Sequence, residues 1–210
     1  MATATGTYAT LADAKLRLGF GTATTTDDTL LQDLCDQVNG WVEASTGRPI
    51  APYAGTYTFD GYDALDQGTF QVRRGIVSLD TLEIAGQTGG TFSTIPAGDY
   101  FLSPASGSRE PGWPAFRVVL TDAPVASNPY PYFPSGYQNV RMAGTFGWSA
   151  IPDELVDVAL TVTQRAWHAR QAGEPDVIGT SEYGAIVIDR DKVPGRLWGI
   201  LSRFKFKLAP

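Results

Sequence analysis

The residue types that most often carry chemistry are scarce in this chain of 210 residues. His168 is its one histidine and Cys35 its one cysteine, so the sequence lacks the ligands of a zinc site built from these residues. The same scarcity argues against Ser-His-Asp and Cys-His nucleophiles. Cys35 lies on an apolar stripe and is interpreted as a small core residue. His168 stands between Arg165 and Arg170 and is interpreted as a solvated surface histidine.

Acidic and glycine-rich stretches are the remaining chemical candidates. Asp60, Asp63 and Asp66 form a D-x-x-D-x-x-D pattern, whereas a calcium loop needs oxygens at alternate positions. The stretch GQTGGT at 86–91 lacks the lysine of a phosphate loop and is interpreted as a hairpin turn. Two carboxylates far apart in the sequence can still meet in the folded chain. An enzyme that uses such a carboxylate pair is therefore one alternative function. We expect no catalytic residue, no metal and no cofactor.

Two stretches are typical of contact surfaces instead. The first is NPYPYFP at 128–134, in which prolines flank Tyr130, Tyr132 and Phe133. Rigid aromatic side chains lose little entropy on binding, so this loop predicts a contact site for a partner. The alternative is a loop that folds onto its own domain.

The second stretch is the basic C-terminal end. From Ser181 onward the sequence contains six basic and three acidic residues, a net charge of +3. The rest of the chain therefore has a net charge of −9. The apolar segment YGAIVID either closes a sheet within this chain or adds to the edge of a neighbour's sheet. The residues that we expect to contact a partner here are Tyr183, Ile186, Val187, Ile188, Arg196, Trp198, Phe204, Lys205, Phe206 and Lys207.

The elements that must position these residues follow from periodicity. Apolar residues at steps of three and four predict helices over 8–18, 27–46 and 152–172, and a further short helix near Pro194. Short β-branched and aromatic runs separated by turns fill 55–148, with TFQVR at 69–73 and VSLDTLEIA at 77–85 as separate strands. The predicted class is α+β, a small helical bundle with an inserted antiparallel β-sandwich or barrel-like module and an extended C-terminal arm.

The predicted organisation is a domain over 1–179 and an arm over 180–210. No run of about 18 apolar residues is present, so we expect no membrane span. The start MATATGTYAT lacks the features of a secretion signal. The net charge of −6 argues against binding to nucleic acid through its phosphates.

Three stretches, taken in order, resemble the head-to-tail connector (adaptor) proteins of tailed bacteriophages. They are LADAKLRLGF at 11–20, the helix that ends in WVEASTGR at 41–48, and GWSAIPDEL at 147–155. Each is a helix boundary, and the resemblance depends on their order and spacing. It covers about the first fifty residues and Gly144 to Gly173, with a β middle similar to the inserted module of larger members.

The resemblance implies a structural virion protein in the neck between capsid and tail, assembled in the host cytoplasm. It implies a homo-oligomeric ring, commonly a dodecamer, that binds the portal protein and a tail-completion or next connector protein. DNA would pass through the channel without sequence-specific binding. The alternative function is a β-rich tail or baseplate module that recognises a glycan or a protein through the aromatic loop.

Overall fold

The computed structural model describes residues 6–21, 25–105, 108–109, 112–121, 130–171, 178–180, 186–188 and 193–205. The chain divides into two compact units, and each is considered by itself. A helical unit is formed by residues 1–49 and 151–210, and a β unit by residues 50–150. The order helix, β, helix predicted from the sequence is therefore observed.

The helical unit contains α1 (Leu11–Leu18), α2 (Asp28–Thr46), α3 (Asp153–Gln171) and α4 (Gly195–Phe204). Helices α1, α2 and α3 pack on one another, and α4 packs on α2 and α3. The predicted stripes are the buried ones, because steps of three and four place these side chains on one helix face. The buried residues of α2 and α3 include Leu31, Leu34, Cys35, Val38, Val42, Leu155, Val158, Val162 and Ala166.

Local caps fix where the helices begin and end. The Thr10 hydroxyl accepts a hydrogen bond from the backbone N–H of Asp13 at 3.1 Å and so caps α1. Gly19 and Gly47 follow α1 and α2 with φ of 75° and 70°, the left-handed conformation that glycine adopts without strain. These caps explain why the C-terminal ends of α1 and α2 were predicted correctly. The predicted start of α1 at residue 8 was wrong, because Thr10 caps the helix and α1 begins at Leu11.

The β unit contains β1 (Tyr53–Phe59), β2 (Thr69–Ile84), β3 (Ser93–Ile95), β4 (Tyr100–Ser103), β5 (Ala115–Leu120) and β6 (Val140–Phe146). All pairs are antiparallel, in the order β1-β6-β2-β5-β4, with β3 on β2. The α+β class is confirmed. Among the described residues β1 and β4 do not pair, so the predicted β module is one open sheet and not a closed barrel.

One long strand replaces two predicted strands. The prediction broke the chain after Arg73, but β2 runs without interruption from Thr69 to Ile84. Gly75 has φ of 78°, and the register shifts between Gln71 and Ile76. Across the bulge, β2 pairs with β5 from Thr69 to Ile76 and with β6 from Ile76 to Ile84. The prediction was wrong here because a bulge and a turn have similar local sequences.

The core of the β unit is aromatic and aliphatic. Phe146 contacts Tyr53 and Tyr57, with ring centroids 6.0 and 5.1 Å away. Phe70 contacts Phe59 and Phe133, with centroids 5.6 and 5.3 Å away. The buried core also includes Val72, Ile76, Leu82, Ile84, Ile95, Val118, Val140 and Met142.

The C-terminal region includes two short strands. Strands β7 (Ile178–Thr180) and β8 (Ile186–Ile188) pair antiparallel, with Ile178 opposite Ile188. The segment predicted as YGAIVID thus pairs within this chain over Ile186–Ile188. The boundary between a domain and an arm at residue 180 stays a prediction, whereas α4 belongs to the helical unit.

Candidate contact surfaces

The two residues first considered for catalysis lie in the expected environments. His168 is exposed near the end of α3, and Cys35 is fully buried in α2. Burial, with the nearby carboxylates of Asp36 and Asp13, raises the pKa of the Cys35 thiol to about 11. A thiol that stays protonated is a poor nucleophile. Within the described part of the chain, no group of three His, Cys, Asp or Glu residues could hold a metal ion.

The predicted aromatic loop presents one ring to solvent among its described residues. Phe133 is buried against Phe70, and its backbone N–H donates to the carbonyl oxygen of Gln67 at 2.8 Å. Tyr130 is partly buried against the same core. Tyr132 is 48% exposed. The loop therefore folds onto its own unit, as the alternative interpretation had it, and leaves Tyr132 on the surface.

Two other tyrosines of the β unit are also exposed. Tyr62 and Tyr137 are 60% and 61% exposed, and their ring centroids lie 5.0 Å apart. Leu65, three residues after Tyr62, is 47% exposed. We call Tyr62, Leu65, Tyr132 and Tyr137 the tyrosine patch. The sequence prediction missed three of its members because they come from turns 75 residues apart, at G-Y-D and S-G-Y.

Asn139 holds the two segments of the tyrosine patch together. This side chain is fully buried, and its Oδ1 accepts a hydrogen bond from the backbone N–H of Gly61 at 2.7 Å. Its Nδ2 donates to the carbonyl oxygens of Pro134 at 2.8 Å and Ala85 at 3.3 Å. A Cβ at Gly61 would collide with the Pro134 carbonyl oxygen. The patch is thus preorganised, which lowers the entropic cost of binding.

The turn that carries Tyr62 and Leu65 of the tyrosine patch also carries three aspartates. Asp60 and Asp66 accept backbone hydrogen bonds from Gln138 at 2.7 Å and Gly68 at 2.8 Å. Asp63 is exposed in the turn between them. None of the three forms an ion pair with another described residue. Tyrosine rings close in sequence to carboxylates that form no ion pair with a described residue favour a cationic partner.

The predicted basic end lies partly within the helical unit. Leu197, Leu201 and Phe204 are buried, so Phe204 does not offer its ring as a surface anchor. Exposed Arg196 lies on the outer side of α4. Phe204 accepts a hydrogen bond at its carbonyl oxygen from Arg48 Nε at 2.8 Å. Burial lowers the pKa of Arg48 to about 10, so its guanidinium is still charged at neutral pH.

Trp198 within α4 and Lys205, which directly follows α4, are both half-buried. Trp198 packs edge-on against Trp41, with ring centroids 5.5 Å apart, and Lys205 Nζ lies 5.7 Å from the Trp198 ring centroid. Tyr183, Phe206 and Lys207 lie outside the described residues. The contact role predicted for this end stays a prediction for Arg196, Trp198 and Lys205.

An apolar groove lies along α1. It has a volume of about 360 Å³ and is lined by Leu11, Ala12, Lys15, Leu16 and Phe20. Leu16 is 79% exposed, although Lys15 beside it is buried and paired with Asp28 at 2.7 Å. An exposed leucine beside a groove is typical of a protein contact face. No described helix is long and apolar enough to cross a membrane.

The C-terminal end of α3 carries exposed basic side chains, whereas the turns of the tyrosine patch carry acidic ones. Arg165, His168 and Arg170 are exposed, and neither arginine forms an ion pair with a described residue. Elsewhere in this unit Arg17 pairs with Asp157 and Arg203 with Glu154, each at 2.8 Å. We call Arg165, His168 and Arg170 the basic end of α3.

Comparison with known proteins finds similarity in structure and not in sequence. No family model and no curated protein matches the chain. A solved structure of the neck of an empty GTA particle, computed with C6 symmetry, matches with a TM-score of 0.58 and 13% identity, over 100% of this chain and 95% of that chain. The neck of a native GTA particle, computed with C12 symmetry, matches with a TM-score of 0.52 and 14% identity, over 99% and 94%.

The virion of a native gene transfer agent (GTA) particle gives a TM-score of 0.52 and 16% identity, over 100% of this chain and 95% of that chain. At sequence identities this low, the structural likeness establishes the fold alone. The likeness covers both units of this chain. This protein therefore has the fold of chains that occur in the neck of gene transfer agent particles.

Proposed function

We propose that this chain is a structural subunit of the neck of a phage-like particle, located in the virion. More specifically, it would form a head-to-tail connector ring between the portal and the tail and extend the DNA channel. The observation that carries the proposal is the likeness in fold to neck chains over 100% of this chain and 95% of that chain. Full coverage matters because a shared helical bundle alone would be a common fold fragment.

The sequence motifs that resemble connector proteins support the proposal through their structural roles. In WVEASTGR, Gly47 ends α2 and Arg48 joins the end of α2 to the end of α4. In GWSAIPDEL, Gly147 has φ of 91° and Trp148 is fully buried before α3 begins at Asp153. Both motifs therefore occur at the positions where the chain passes between its units.

A ring requires two different faces on each subunit, because heterologous contacts repeat head to tail until the ring closes. The tyrosine patch and the groove along α1 are candidates for such faces. The symmetries of the similar neck structures, C6 and C12, favour a ring of six or twelve copies in this protein too. The role is one of assembly and not of catalysis, and DNA would pass the acidic subunits without sequence-specific contacts.

The portal protein is the proposed partner on one side of the ring, and a tail-completion or next connector protein on the other. The test mixes the purified chain with the portal protein of the same particle and images the complex by electron microscopy. We expect the images to show a ring bound to the portal, with density into which this subunit fits. No ring and no portal complex at assembly concentrations would contradict the proposal.

The predicted contact of the basic end with the portal can be tested in the same assay. Removing the residues after Gly179 is a poor test, because it would also remove buried Leu197 and Leu201 of α4. Charge reversal at Arg196 and Lys205 keeps the core, and we expect it to weaken portal binding by about tenfold or more. Arg117→Glu, an exposed change in the β unit, is the matched control.

A further inference from the structure

We propose that the tyrosine patch of one copy binds the basic end of α3 of the next copy. This inference rests on the proposed function, because a ring needs such a contact, and it assigns that contact to named residues. It joins the β unit of one subunit to the helical unit of its neighbour.

The tyrosine patch has the chemistry of a receptor for arginine. The rings of Tyr62 and Tyr137 have centroids 5.0 Å apart and are tilted by 59°, and both residues are more than half exposed. A guanidinium stacks on such faces and at the same time donates to carboxylates, which a lysine ammonium does less well. Asp63 supplies an exposed carboxylate that no described residue neutralises.

The basic end of α3 has the complementary chemistry. Arg165 and His168 are three residues apart, so they lie on the same side of the helix. Arg170 follows His168 by two residues and so projects from another side of the helix end. The two arginines contrast with Arg17 and Arg203, which are engaged by carboxylates of their own unit. Cations at a helix C-terminus also reinforce the negative end of its dipole.

The two surfaces favour head-to-tail association over a symmetric dimer. Pairing two patches would bring Asp63 of each copy together, and pairing two basic ends would bring arginines together. Like charges repel, whereas the patch and the basic end attract each other. Every copy has one of each, so the contact repeats from subunit to subunit, as a ring requires.

The test measures self-association by sedimentation with two charge variants. Asp63→Arg changes the patch, and it avoids Asp60 and Asp66, whose carboxylates hold the turns. The combination Arg165→Glu and Arg170→Glu changes the basic end. Matched controls reverse exposed charges elsewhere in the β unit, with Asp80→Arg and Arg117→Glu. Circular dichroism establishes that each variant is folded.

We expect each charge variant to weaken self-association by about tenfold or more, and the controls to leave it unchanged. An equimolar mixture of the two variants keeps one intact patch and one intact basic end. It should therefore recover self-association, because the intact patch binds the intact basic end and the two reversed surfaces are again opposite in charge. A Tyr137→Ser variant should weaken association too, and 0.5 M salt should weaken the wild type because exposed charges are screened.

Other outcomes would overturn the inference. These are a wild type that stays monomeric up to about 1 mM, charge variants that associate as the wild type does, and a mixture that does not recover association. Glycan binding lost in Tyr137→Ser, with self-association unchanged, would assign the patch to the alternative function. If the Asp63→Arg variant still forms rings on the portal, the inference fails while the proposed function stands.

Discussion

The helical unit and the β unit each use one buried asparagine to hold a chain segment, but with opposite results. Asn39 Oδ1 accepts from the backbone N–H groups of Tyr8 at 3.0 Å and Ala9 at 2.7 Å. Its Nδ2 donates to the Ala9 carbonyl oxygen at 3.1 Å. Asn139 binds its turns in the same way.

What the two held segments present is different. Tyr8 and Ala9 are buried, so Asn39 completes the core of the helical unit. The turns held by Asn139 leave Tyr62 and Tyr137 exposed. A buried amide network can therefore either complete a core or position exposed side chains. The network itself is a matter of stability, and the exposed side chains that it positions are the evidence for function.

The substitution expected to cost the most stability lies in the β unit, where two strand backbones pack closely. Gly144→Ala places a Cβ against the Ser78 carbonyl oxygen, where β6 pairs with β2 at a register shift. Backbone atoms cannot move aside as a flexible side chain can, so we expect a loss of about 3 kcal/mol or more in the free energy of unfolding. Chemical denaturation measures the loss.

Hydrogen exchange locates that effect. Faster exchange in β2 and β6, with α2 and α3 unchanged, would show that the two units are stable independently. Equal acceleration in α2 and α3 would instead show that they unfold together. A Gly144→Ala protein as stable as the wild type would contradict the close approach of β6 to β2.

The second prediction compares the two asparagines directly. Asn39→Ala and Asn139→Ala each leave buried backbone groups without partners, and we expect each to cost about 2–4 kcal/mol of stability. Asn139→Ala should also weaken self-association, because it releases the turns of the tyrosine patch. Asn39→Ala should lower the stability of the protein and leave self-association unchanged. A loss of self-association in both variants would contradict a specific role of Asn139 in positioning the tyrosine patch. Thermal melts and sedimentation on the same samples provide both readouts.

The same contrast explains how far the sequence predicts this protein. Helical periodicity is local, and Gly47 and Pro152 mark helix boundaries in the sequence, so α2 and α3 were predicted to within a residue or two. Strand pairing depends on residues far apart. The bulge at Gly75, the extra strand at Ser93–Ile95 and the single open sheet were therefore not predicted.

The contact surfaces follow the same rule. Tyr132 was predicted from its proline-flanked loop, while Phe133 beside it is core, because the sequence does not say which ring faces inward. Tyr62 and Tyr137 were missed because the fold brings them together from distant turns. Phe204 was expected to contact a partner, but it is buried, and the spacing of Leu197, Leu201 and Phe204 fits one face of a helix.

The third prediction uses the pKa of Cys35 to probe the helical core. The thiol has a folded pKa of about 11 against 9.0 for the free group. Between these pH values the unfolded chain loses its proton first, so stability is full below pH 9 and falls as the pH rises towards 11. By pH 10 we expect a loss of about 1.4 kcal/mol, from one pKa unit of difference in proton binding. Cys35→Ala should lack this part of the pH dependence.

Denaturation of both proteins at pH 8 and pH 10 checks this prediction, and the difference between them cancels the tyrosines and lysines that titrate in both. The β unit contains no cysteine, so the slope should appear in the unfolding of α2 and α3 alone. An identical slope in Cys35→Ala would show that the thiol titrates at its ordinary pKa, which would require water to reach the side of α2 that packs on α3.

The smallest expected effect is opposite in sign to the first. Gly40 lies inside α2, is exposed, and has nothing within 4 Å of the position of a Cβ. Gly40→Ala should therefore stabilise the helical unit by about 0.5–1 kcal/mol, because alanine loses less conformational entropy in a helix. Urea denaturation of the isolated chain measures it. If the variant is more stable as a monomer but assembles poorly, the outer face of α2 must be in contact with another subunit, and a glycine there would be explained by the close approach of that subunit and not by folding.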